Sequence, residues 1–159
     1  ATREAYKRCG KDPSRYRPSA EALRRRLMRG LELYQIDTLV DLINLVSLRT
    51  GYSIGGFDAD KIQGDSLELG IGRAEEPFEG IGRGTLNIEG LPVYRDRAGG
   101  IGTPTSDNER TKMGLETRRI LAIVNGYNGR EGLAEAAGMI QELLRKYAAS
   151  NGGTVFYFE

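Results

Sequence analysis

The chain has 159 residues, enough for one domain with a sizeable core, and its 39% apolar and 28% charged residues are ordinary for a globular protein. Its 23 basic and 22 acidic side chains leave a net charge of +1, which is not the overall charge of a protein that holds nucleic acid by itself, and no apolar run approaches the roughly 20 residues of a membrane span. There is no histidine and one cysteine, Cys9, which excludes Ser-His and Cys-His nucleophilic schemes, histidine general bases, most zinc sites and any internal disulfide.

The chain opens with ATREAYKRCGKDP, which reads as the end of a polar helix, as though residues preceded Ala1. No secretory signal pattern is present, and the lone cysteine fits a reducing compartment, so a cytoplasmic location is expected. Cys9 has no histidine to activate it and is a weak nucleophile candidate. Pro18-Ser19 opens the next helix, with Ser19 as its cap, Leu23 and Leu27 one turn apart, and Gly30 as its end. Arg24-Arg25-Arg26 and Arg29 make a basic run on it, either a solvated face or a local basic patch.

A second helix is predicted from Asp37, its cap, to Arg49. Leu39, Leu42, Ile43 and Val46 form one apolar stripe, widened by Val40, Leu45 and Leu48, which predicts a central, buried helix. From Gly51 to about Gly126, glycine punctuates short runs (67–73, 84–88, 91–96, 98–104) that read as a meander of strands. Residues 119–125, RILAIVN, fit a more buried strand, and Asn128-Gly129 a turn. A third helix is predicted from about Gly132 to Ala149, with Leu133, Ala137, Ile140, Leu144 and Tyr147 on its core face and Glu142 paired with Lys146. Asn151-Gly152-Gly153 closes it, and Thr154 to Phe158, TVFYF, should pair in a sheet. The expectation is one α+β domain over 1–159, its apolar and flanking helices packed on a curved, mostly antiparallel sheet.

Two places could carry chemistry. The first is Asn44, inside the apolar helix, with the glycine turn from Gly51 to Gly56. An amide in a buried helix needs partners. Asn44 therefore either pins a neighbouring loop or faces a pocket lined by Gly55 and Gly56, whose missing side chains leave room for close backbone approach. The second is the polar loop from Thr103 to Thr117, with Glu109, Arg110, Thr111 and Lys112 as its obvious set, either a placed functional loop or an exposed one whose charges neutralise each other. No phosphate-loop, dinucleotide or metal-ligand spacing occurs, so no cofactor, nucleotide or metal is expected.

Three stretches carry a resemblance: SRYRPSAEALRRRLMRG, DTLVDLINLVSLRTGYSIGGFDADKI and ERTKMGLETRRILAIV. Over about 14–148 the chain resembles the central tRNA-editing domain of the bacterial phenylalanyl-tRNA synthetase beta chain, and in particular its free-standing relatives. The specific part is the order Val40-Asp41-x-x-Asn44, Gly51, then Phe57-Asp58-x-Asp60-Lys61-Ile62. The resemblance implies a domain that binds tRNA or aminoacyl-tRNA and hydrolyses a mischarged ester. It also implies that Asn44 is the family's pocket asparagine and that Glu109 matches the glutamate tied to recognising the substrate hydroxyl. Where the family turn carries a histidine, this chain has Gly55, which is expected to enlarge or depolarise the pocket. Asp107-Asn108 replaces a glycine pair before that glutamate. Arg110 or Lys112 would then contact the terminal phosphates or ribose. Three readings follow: an aminoacyl-tRNA deacylase, a non-catalytic module binding an aminoacyl-tRNA end or amino acid, and an interaction domain with a vestigial pocket.

Overall fold

The polar start does fold as a helix, α1 (Thr2–Arg8), anchored by one side chain: Tyr6 is fully buried and shares a 2.8 Å hydrogen bond with Thr105. The structure, a computed structural model, describes residues 1–158. Helix α2 (Ser19–Met28) is a surface helix in which only Ala20 is buried. Ser19 is not its cap. Pro18 holds that position without a side-chain bond, and the Ser19 N–H donates instead to the Pro104 carbonyl at 2.8 Å, so the polar loop supplies the acceptor.

Helix α3 (Thr38–Thr50) begins as predicted, with the Asp37 carboxylate accepting the Val40 N–H at 3.0 Å, and ends at Gly51, whose φ of 84° favours glycine. It is not buried all round. Ile43, Val46 and Ser47 face the core, whereas Leu45 is exposed, on the face that β1, α4 and α2 leave open.

The fold is α+β with antiparallel strands, as expected, the strands being divided among three small sheets. β1 (Ile54–Asp58) pairs with the half-buried β7 (Ile120–Val124), Gly56 opposite Ala122. β2 (Glu68–Ile71), β5 (Pro92–Asp96) and β6 (Gly99–Gly102) form a sheet in the order β2-β5-β6. β3 (Glu79–Gly80) and β4 (Gly84–Thr85) make a short hairpin. Helix α4 (Leu133–Ala148) buries Ala136, Ile140 and Leu144; Tyr147, expected on the core face, is 56% exposed, and Lys146 lies over its ring instead of pairing with Glu142. Residues 154–158 form no strand. Gly152 and Gly153 both have positive φ, the Gln141 amide holds the Gly152 carbonyl at 2.6 Å, and Tyr157 lies beside Arg130.

Two apolar clusters result. Ile43, Val46, Ile54, Met113, Ala136, Ile140 and Leu144 join α3, β1 and α4. Tyr6, Phe78, Ile88, Leu91 and Val93 join α1 to the three-stranded sheet. Each large side chain so buried contributes about 1.5–3 kcal/mol over exposure. The polar loop lies between these clusters, sending Met113 into the first and Thr105 against Tyr6. No described helix is long and apolar enough to cross a membrane.

Candidate functional site

The Phe-Asp-x-Asp-Lys-Ile exit of β1 is a clasp. Asp58 accepts the Asp60 N–H at 3.0 Å and the Thr117 hydroxyl at 2.9 Å, while Lys61 donates to Glu116 at 2.7 Å and to the Lys112 carbonyl at 2.9 Å. Arg119 adds a 3.0 Å bond to Asp60. The bond to Glu116 raises the Lys61 pKa above the ordinary lysine value. This sequence pattern therefore fastens β1 to the end of the polar loop, so that whatever the loop presents is held against the strand.

Gly55 and Gly56 point to opposite faces of β1, as strand alternation requires. A Cβ on Gly56 would lie 2.6 Å from the Met113 methyl and 3.6 Å from Ile43. A Cβ on Gly55 would lie 2.7 Å from the tip of the Phe57 ring, and one on Gly102 2.5 Å from the same tip. Phe57 is 1% exposed. The expectation of an enlarged pocket is thus overturned: two residues along the strand, and hence on the same face, Phe57 turns its ring into the space beside Gly55. The glycines are close-packing positions for an aromatic ring and a thioether.

The polar loop follows the same logic of placement. The Asn108 side chain accepts the Arg110 N–H at 2.9 Å and starts a single 3-10 turn, Glu109–Thr111. Arg110 grips the buried Asp96 with two bonds of 2.9 and 2.8 Å, and Asp96 also accepts N–H groups from Gln63, Ala98 and Gly99. Burial pushes the Asp96 carboxyl up, but these donors win and hold it below its ordinary value. Arg110 is therefore a strut from the loop to the end of β5 rather than a free phosphate ligand. Arg110→Met should lower stability by about 2 kcal/mol, read from the urea midpoint. That is less than the roughly 3–5 kcal/mol for breaking a fully buried pair, because the guanidinium side is 31% exposed and three N–H donors remain.

Glu109 accepts the Gly82 N–H at 3.2 Å and pairs with Lys112, whose bond keeps its pKa below the ordinary glutamate value. Both side chains stay accessible, at 40% and 51% exposure, while Thr111 is fully buried. Hairpin β3–β4 is seated on this loop, with the Ile81 N–H donating to the Asp107 carbonyl at 3.0 Å.

At the junction of β1, β6 and the loop stands Asp107. Its Oδ2 accepts the Gly56 N–H at 3.2 Å, and Oδ1 faces the glycines: it would be 3.2 Å from a Cβ on Gly55 and 2.9 Å from one on Gly102. Burial pushes this carboxyl up to about 7, against the opposing pull of the Gly56 N–H. It is half-buried, with a single hydrogen bond to its carboxylate among the described residues. Phe57 was noted in the sequence only as part of the Phe-Asp-x-Asp-Lys-Ile exit and Asp107 only as a departure from the family's glycine pair; neither was expected to line the site. The period-two spacing of Gly55 and Phe57 carried the signal for the ring; for Asp107 the signal was its place in the Asp107-Asn108 pair, which said nothing of its burial against the glycines.

The predicted residues therefore divide. Gly55 and Gly56 lie on opposite faces of β1, Glu109, Arg110 and Thr111 form the 3-10 turn of the loop, and Lys112 is bridged to Phe57. Asn44 does not join them. It lies on another side of α3, in a groove of about 870 Å³ between α2, the 31–37 connection and α3. No group of histidine, cysteine, aspartate or glutamate side chains suited to a metal ion occurs among the described residues.

A family model described as the B3/4 domain matches residues 1–146. No curated protein matches the chain. The match takes in α1, the α3–Gly51–β1 order, the clasp and nearly all of α4, and with it the chain belongs to the B3/4 domain family, the domain of the phenylalanyl-tRNA synthetase beta-chain editing region and its relatives.

Proposed function

We propose that this domain hydrolyses the ester of a mischarged aminoacyl-tRNA, with Asp107 as the group that moves the proton. The observation that supports the reading is the Asp107 carboxyl itself: walled in by glycine backbone, with one bond to its carboxylate, and pushed up to about 7 by burial. A general base works best with a pKa near the working pH. In the ionised form Asp107 takes a proton from water as the water oxygen bonds to the ester carbonyl carbon. When the bond to the ribose oxygen breaks, the same carboxyl returns the proton to that oxygen. The products are a free amino acid and a tRNA with its terminal hydroxyl restored, and no metal or redox partner is needed. Glu109, accessible and held ionised by Lys112, receives the substrate ammonium or a side-chain hydroxyl. Such a substrate fits the cytoplasm, as does the single unpaired cysteine.

The second reading, a module that binds an aminoacyl end without turnover, is favoured by the Phe57 ring that fills the face of Gly55. Purified protein incubated with a panel of mischarged tRNAs separates the two. Deacylation faster than buffer for at least one member, weakened about tenfold or more by Glu109→Ala, is the expected result. Stabilisation by aminoacyl-tRNA without turnover would leave only the binding reading.

A further inference from the structure

The chain closes the outer edges of β1, β2, β3 and β6 with its own groups. On β1 the Gly56 N–H goes to Asp107, and Phe57 bridges Lys112. Gly102 of β6 bridges Asp107, Gly80 of β3 bridges Asn108, and Arg95 takes the Ile71 carbonyl of β2. β7 is different. It pairs with β1 alone. The Asn125 N–H donates to the Ser53 carbonyl at 3.0 Å and the Ala59 N–H to the Arg119 carbonyl at 2.9 Å, so alternate residues of this stretch turn their backbone to β1, and Ile120, Ala122 and Val124 turn theirs outward. Those outward N–H and C=O groups have no partner among the described residues. Ile120, Ala122 and Val124 pack their side chains on the first apolar cluster, and Leu121 and Ile123, half-buried, stand on the opposite face. An open, uncharged, apolar edge is a template for another strand.

The segment 154–158, TVFYF, is the complementary feature. It consists of β-branched and aromatic residues, which suit a pleated surface. Its backbone makes no hydrogen bond among the described residues. Val155, Phe156, Tyr157 and Phe158 are 37%, 72%, 41% and 91% exposed. The Phe156 and Phe158 rings lie 6.5 Å apart, side by side as residues two apart stand on one face of a strand. One chain thus carries an unpaired strand edge and an unpaired strand-forming segment.

We propose that residues 154–158 of one copy pair with the outer edge of β7 in a second copy, which gives its own tail to the first. The tail supplies the N–H and C=O groups that Ile120, Ala122 and Val124 lack, and Phe156 and Phe158 cover Leu121 and Ile123, as aromatic rings cover aliphatic side chains across a strand pair. Both halves of the contact are present in every copy, so the exchange closes with two-fold symmetry. The exposed parts of Val155 to Phe158 amount to about 400 Å² per tail and the edge beneath loses about as much, so two tails bury roughly 1,600 Å², the area of a stable dimer. The exchange stands apart from the hydrolase reading and does not depend on it.

The test follows the intact chain from micromolar to millimolar concentration by light scattering and by amide hydrogen exchange. The mass should rise toward twice the 17.5 kDa of one chain. The Ile120, Ala122 and Val124 amides should become protected as it rises, while those of Leu121 and Ile123, which face β1, are protected throughout. Phe156→Asp combined with Phe158→Asp should weaken the dimer about tenfold or more and leave the three outward amides exchanging freely. Both rings are at the surface, so the thermal melt of the monomer should be unchanged. A chain that stays monomeric throughout, or a dimer whose outward β7 amides exchange freely, would overturn the exchange. So would protection without a rise in mass, which would put the tail on its own β7. A protected dimer indifferent to the double variant would overturn it too, in favour of β7 pairing with β7.

Discussion

Gly55→His, which returns the family's residue to β1, should destabilise the protein by about 3 kcal/mol or more and restore no activity. The reason is steric. A Cβ at position 55 meets the Phe57 ring tip at 2.7 Å, and that ring cannot retreat, because the Gly102 backbone faces it from the other side and it is 1% exposed. The informative control is the double variant Gly55→His with Phe57→Ala. Alone, Phe57→Ala should cost about 3–5 kcal/mol as a large-to-small change in a packed site. If ring and glycine are a matched pair, the double variant is less destabilised than the sum of the two by well over 0.5 kcal/mol, read as a coupling energy from urea midpoints. Strict additivity would show that the Phe57 ring is not what excludes a side chain at position 55. Glycine at this position is thus the surface on which the Phe57 ring, two residues on, is packed.

That pair also marks how far the sequence could be read. The start of α3 at Asp37 and its stop at Gly51, the three other helices and β5 and β6 were legible, because caps, glycine stops and apolar spacing are local signals. The tail at 154–158 was misread because strand propensity speaks only of fitness for a pleated surface, and the positive φ of Gly152 and Gly153 turns the chain before it. Asn44 was misplaced relative to Glu109 for a related reason. Which side of α3 an amide occupies depends on where α2 and the 31–37 connection pack, and that is set by contacts such as Arg26 on Tyr34 and Arg24 on the Leu48 carbonyl at 2.9 Å. Arg110 looked like a ligand-binding cation because its partner, Asp96, is fourteen residues away on another strand. Each miss is a long-range pairing that rewrote what a residue's local setting suggested.

The sharpest such rewriting is at Asp107, where removal of the charge should move stability and activity in opposite directions. Its carboxyl, raised from the ordinary 3.8 to about 7, is more easily protonated in the folded chain than in the unfolded one. The contribution to stability is therefore complete below pH ~4 and is lost as the pH rises through 7. The slope is about 1.4 kcal/mol per pH unit, and the total is at most about 4 kcal/mol. Asp107→Asn keeps an acceptor for the Gly56 N–H and never ionises. It should be more stable than the parent at pH 8 by about 1–3 kcal/mol and equal to it near pH 4, with a flatter profile of urea midpoint against pH between them. The hydrolysis of mischarged tRNA should instead fall about 100-fold or more in the same variant, and in the parent it should climb with pH through about 7 as the base ionises. A variant that is destabilised at pH 8 would mean that the carboxylate is a structural acceptor and not a buried charge held at a cost. A variant stabilised yet fully active would keep the buried charge and take the proton transfer away from it. Only a gain in stability joined to a loss of turnover fits a fold that gives up stability to hold one carboxylate ionised against glycine backbone.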